Sequence, residues 1–128
     1  MKRAGLLAAL LLLALGVSST ARADDVIVFH LALSKSMPEA DAAVASPSEV
    51  KLWFTQAPQE GTTSIRLLGG DAEPIHTADV VQDAEDGSVF SVELHGALPP
   101  GRYTVAWRAM GQDGHVVRGD FAFSVSPR

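Results

Sequence analysis

The chain has 128 residues, 47% of them hydrophobic, with 15 Asp+Glu against 10 Lys+Arg and no cysteine. The acidic balance argues against nucleic acid or anionic lipid as a partner, and the absence of cysteine removes disulfides and thiolate metal sites. Beyond the N-terminal segment there is enough chain for one domain with a single modest core.

Residues 1–23, MKRAGLLAALLLLALGVSSTARA, open with Lys2 and Arg3. They continue through an apolar run from Gly5 to Val17 and close on small residues before a cleavage point. This is the layout of a secretory signal peptide, and the run is too short for a membrane span. With no cysteine after it, a lipid anchor is excluded. Cleavage after Ala23 is expected to leave residues 24–128 as one exported domain with no membrane span, carrying 7 Lys+Arg against 15 Asp+Glu, a formal charge of −8.

Helix signals are nearly absent from there on, and apolar spacing of two predicts strands. The run VIVFHLAL (26–33) is apolar on both faces, interrupted by His30. Next comes an Ala/Ser/Pro-rich connection (38–49), with a helical turn expected in its middle. VKLWF (50–54) alternates Val50, Leu52 and Phe54 against Lys51 and Trp53, and TQAPQEG breaks it. Strands are then predicted over 62–69, weakly over 76–81, over 88–94, over 102–110 with Tyr103, Val105 and Trp107 on one face, and over 119–125 with Phe121, Phe123 and Val125 inward. Seven short strands in a domain of this size fit an all-β, immunoglobulin-like β-sandwich.

Chemistry-bearing groups are few. There is no G-x-S-x-G elbow and no phosphate-binding glycine loop. Asp113 and His115 lie two apart around Gly114 in the loop GQDGH, so a carboxylate and an imidazole can converge on one cation. The plain alternative is a turn whose Asp caps its own backbone, and spacing alone favours it, since Asp-Gly is common in turns. His30 is either an edge or core histidine or a ligand facing the loop of His115. Two imidazoles and a carboxylate suit Cu(II), Zn(II) or Ni(II). His76 and His95 read as surface histidines, and Met37 and Met110 are isolated, with no thioether cluster for Cu(I).

The block LPPGRYTVAWRAMGQDGHVVRGDFAFSV (98–125) resembles the C-terminal signature of the CopC family of periplasmic copper-binding proteins. HLALSKSMPEADAAVASPSEVKLWFTQ (30–56) is similar to that family's opening segment, while 57–97 is generic. The resemblance implies a seven-stranded Greek-key β-sandwich and a Cu(II) site formed by His30, Asp113 and His115, with Tyr103 and Trp107 as core aromatics. It also implies a periplasmic protein that carries or buffers copper and delivers it to an inner-membrane copper transporter. No enzyme activity is expected, and a monomer is expected.

Two departures bear on function. In the family's tight Cu(II) binders the opening histidine is the mature N-terminus and its amine is a ligand, whereas cleavage after Ala23 leaves DDVIVF (24–29) ahead of His30. The Met-rich Cu(I) segment of some members is also missing. The alternative function is therefore an immunoglobulin-like protein-interaction module that has lost tight metal binding. A copper-dependent oxidative enzyme would need the same free amine, so DDVIVF counts against it.

Overall fold

The computed structural model describes residues 30–127. The expected signal peptide, its cleavage point and the start of the first predicted strand (26–29) lie outside them. Nine strands and no helix are present among the described residues: β1 Leu33–Met37, β2 Ala43–Val44, β3 Glu49–Phe54, β4 Ser64–Leu68, β5 Pro74–Ile75, β6 Val81–Gln82, β7 Val89–Glu93, β8 Gly101–Met110 and β9 Val116–Val125.

They form two sheets, in the orders β1-β3-β7-β6 and β2-β9-β8-β4-β5. The chain crosses between the sheets after β1, β2, β3, β5 and β7, so β3 lies beside β7 and β4 beside β8. These Greek-key crossings make the all-β sandwich that the alternation implies.

The core results from that alternation. Val50, Leu52 and Phe54 of β3, Ile65 and Leu67 of β4, Phe90 and Val92 of β7, Tyr103, Val105 and Trp107 of β8, and Phe123 and Val125 of β9 are buried together. Each such side chain contributes about 1.5–3 kcal/mol when removed from water. Phe54 meets Trp107 edge-on at 5.3 Å between ring centroids, and the Tyr103 hydroxyl donates to Pro99 O at 2.5 Å, closing the corner that leads into β8. On the outer face Trp53 lies under the ammonium groups of Lys35 and Lys51, at 4.7 and 5.2 Å.

Three expectations are corrected. The first strand of the described residues begins at Leu33, so His30 does not interrupt an apolar strand; it sits in an irregular lead-in, exposed, with buried Leu31 beside it. The Ala-rich connection forms no helical turn. It lends Ala43 and Val44 to β9 as a short parallel partner, with Ser124 N–H donating to Ala42 O and Ser126 N–H to Val44 O at 2.8 Å each. Open edge groups of β9 take the backbone of this connection in preference to its local helical bonds. Finally, the weak strand over 76–81 is replaced by β5, an isolated Thr77–Leu94 bridge and β6.

Candidate metal centre

The β8–β9 hairpin, the longest pairing among the described residues, runs from Gly101–Val125 to Met110–Val116 and turns through residues 111–115. That turn is tight. Gly111 N–H donates to His115 O and Gly114 N–H to Gly111 O, both at 2.9 Å. Gly114 has φ +83°, a left-handed conformation that glycine adopts at least cost. Asp113 and His115 therefore converge through a turn, not through an extended segment with side chains on one face.

The two oxygens of Asp113 have separate tasks. Oδ1 accepts the backbone N–H of His115 at 3.0 Å, the turn cap that spacing suggested. Oδ2 lies 3.1 Å from His115 Nδ1 and 3.5 Å from His30 Nδ1. Capping and convergence thus coexist in one carboxylate. The His115 backbone N–H is the main cause holding this carboxyl below the usual carboxylate range. Desolvation acts against it, and the His115 ring hydrogen bond and the charges of both imidazoles add to it.

His30 reaches this point because its neighbours are fastened. Leu31 is 3% exposed, and its Cβ is 3.6 Å from where a Cβ on Gly111 would lie. Thr55 clamps the same segment: Ala32 N–H donates to Thr55 Oγ1 at 3.0 Å, Thr55 N–H donates to Ala32 O at 2.9 Å, and Thr55 Oγ1 donates to His30 O at 3.4 Å. The rings of His30 and His115 are 6.5 Å apart between centroids and tilted by 40°.

The loop between β3 and β4 also braces the hairpin. Gln59 donates through Nε2 to Gly111 O at 3.0 Å and through its backbone N–H to Met110 O at 2.8 Å. Thr62 Oγ1 donates to Gln59 O at 2.7 Å and accepts Met110 N–H at 3.1 Å. Sequence reasoning missed Thr55, Gln59 and Thr62, which stand in it as ordinary polar loop residues. Only Thr55, directly after an alternating strand, had a position from which to reach a neighbouring segment.

One donor atom from each of His30, Asp113 and His115 lies within 4.8 Å of the others, the only such three-residue cluster among the described residues. Two nitrogens and one carboxylate oxygen form a donor set suited to a borderline divalent ion. The side chains of His30 and His115 are 68% and 76% exposed, that of Asp113 34%, so the cluster opens to solvent at one end of the sandwich.

Fold and site together define a two-sheet β-sandwich with an open imidazole–carboxylate cluster at one pole. A family model, the CopC domain, matches residues 33–126. The chain belongs to the CopC family; Asp113 and His115 fall inside the match and His30 three residues ahead of it.

It is 31% identical over 113 residues to Protein YobA of Escherichia coli strain K12, covering 88% of this chain and 91% of that one. It is 29% identical over 119 residues to Copper resistance protein C of Escherichia coli, covering 88% and 90%. The crystal structure of CopC from Methylosinus trichosporium OB3b is similar at TM-score 0.71 and 29% identity, over 77% of this chain and 96% of that chain.

Proposed function

We propose that this chain is an exported carrier or buffer of Cu(II), acting in the periplasm and not as an enzyme. His30 and His115 supply imidazole nitrogens, Asp113 supplies a carboxylate oxygen through Oδ2, and water completes a tetragonal geometry. The reading rests on the approach of both imidazoles to that one oxygen, at 3.1 and 3.5 Å. Copper stands at the top of the affinity order for such ligands, above nickel and zinc. A relative in the same family is named a copper resistance protein.

With cleavage after Ala23, His30 offers its ring and not an amine, so three side chains hold the ion. Such a site is weaker than one with a terminal amine chelate, and its exposure suits exchange. A metal held by two solvent-facing imidazoles can pass to incoming ligands of an acceptor one bond at a time, which supports delivery to an inner-membrane copper transporter.

Equilibrium titration of the exported protein with Cu(II) tests this. One equivalent is expected to bind, with affinity lost in His115→Ala and Asp113→Ala. No stoichiometric binding at micromolar protein would favour instead an immunoglobulin-like interaction module that keeps the fold without useful metal affinity.

A further inference from the structure

His76 and His95 form a second pair of imidazoles, away from the cluster just described. The isolated antiparallel bridge joins Thr77 to Leu94, and Ala78 N–H donates to Glu93 O at 2.9 Å beside it. One step outward along this register, residues 76 and 95 stand directly opposite each other, as cross-strand neighbours do. Leu94 packs against the core, which turns its neighbour His95 to the outside. Both histidines are exposed.

Their rings stack at 5.1 Å between centroids, 17° from parallel, closer than the 6.5 Å between His30 and His115. Neither ring makes a hydrogen bond or ion pair among the described residues.

The pair lies at the opposite pole of the sandwich. β7 runs from Val89, paired with Trp53, to Glu93, paired with Glu49. The Trp53 end is the end of Phe54 and Leu33, next to His30. His95, just beyond Glu93, is thus at the far end of the sheet. On the facing sheet β5, just before His76, pairs with Leu67 and Leu68 of β4. Those residues stand opposite Val105 and Thr104, away from the 111–115 turn.

We infer that His76 and His95 form a second, independent binding site for a borderline divalent cation such as Zn(II). An ion about 2.0–2.1 Å from each imidazole nitrogen sets the two ring centroids roughly 4.5–5 Å apart, for ligand angles between square-planar and tetrahedral. At 5.1 Å the observed spacing is close to that range, while rings 17° from parallel do not yet aim at one point. A rotation about the side-chain torsions, free at exposed positions, turns one nitrogen of each ring toward a common point. No carboxylate joins the pair in a three-donor cluster among the described residues, so water fills the remaining positions and the site is the weaker of the two.

The test is a Zn(II) titration of the isotope-labelled exported chain, following the ring resonances of all four histidines by NMR. His76 and His95 are expected to move together on one saturating curve, distinct from that of His30 and His115. In His95→Ala the Zn(II) needed for half the His76 response should rise about tenfold or more, because the second imidazole no longer acts at high effective concentration. The His115 response should be unchanged, which also reports that the variant is folded. Unrelated curves for the two rings, or a His76 curve that His95→Ala leaves unmoved, would overturn the assignment. Failure here with His115 still responding counts against this pair alone, whereas silence at His30 and His115 alone counts against the copper centre.

Discussion

Gly111 and Asp113 approach so closely that a Cβ on the glycine would stand 2.8 Å from the carboxylate Oδ1. The absent side chain is what lets Asp113 fold back to cap the turn and still present Oδ2 to both imidazoles. Gly111→Ala should therefore displace the carboxylate, weakening Cu(II) binding about tenfold or more, in the range that misplaced ligand supports cost. The loss of stability should be modest, about 1–3 kcal/mol as for other overpacked sites. Calorimetric Cu(II) titration beside a thermal melt measures both; unchanged affinity would mean that Asp113 is not a ligand.

Thr55 offers a test of how His30 is held. Thr55→Val keeps the shape but removes the hydroxyl that accepts Ala32 N–H and donates to His30 O. About 0.5–1.5 kcal/mol of stability should go with the hydrogen bond. Copper binding should weaken through the His30 arm while Thr55→Ser retains it. Equal affinity in both variants would show that the clamp does not position the histidine.

Much of this architecture was legible in the sequence, for a physical reason. Period-two alternation in 50–54 and 102–110 could bury Val50, Leu52 and Phe54, or Tyr103, Val105 and Trp107, only as strands of a packed sheet, and these residues are buried. The turn of Asp113 and His115 was legible through Gly114, although the convergence arises from turn geometry and not from an extended face. The meeting of His30 with that turn is tertiary: it depends on Leu31 packing beside Gly111 and on Thr55, contacts that local spacing does not encode. Two-residue strands such as β2 and β5 were not legible either, because they exist only as partners of edges formed elsewhere in the chain. The same holds for the stacked His76 and His95, each of which reads alone as a surface residue.

Gly119 carries a prediction about the core. Its missing Cβ would fall 2.5 Å from Cζ2 of Trp107, whose indole covers the glycine across the β8–β9 ladder. Gly119→Ala must push the indole toward Phe54, costing about 1–3 kcal/mol. That corresponds to a fall in Tm of roughly 4–8 °C per kcal/mol in a domain of this size. An unchanged melting temperature would contradict this packing.

Acid stability should depend on the turn at 83–88. Asp83 accepts the backbone N–H groups of Glu85 and Asp86, and Asp86 accepts the hydroxyl and N–H of Ser88; these bonds hold both carboxyls below their ordinary value. A carboxyl with a depressed folded-state pKa stabilises the fold above its unfolded value. That contribution is lost as pH falls through the folded one. Urea unfolding from neutral pH down to the acid range should show wild type losing stability at the low end, with Asp83→Asn/Asp86→Asn less stable at neutral pH and flatter below. Parallel curves for the two proteins would contradict the assignment.

Metal release should track imidazole protonation and not that of Asp113, which stays ionised below the usual carboxylate range. Ligand imidazoles must be neutral, so bound Cu(II) should be shed as protons compete for them at falling pH. Dialysis against a pH series measures it; occupancy constant down to acid unfolding would be inconsistent with histidine ligation.

Pulsed electron paramagnetic resonance on the Cu(II)-loaded protein probes the proposed copper site most directly, by counting the imidazoles bound to the ion. Two coupled imidazoles are expected, falling to one in His30→Ala and likewise in His115→Ala. A spectrum with no imidazole coupling, or one that neither substitution changes, would contradict the site.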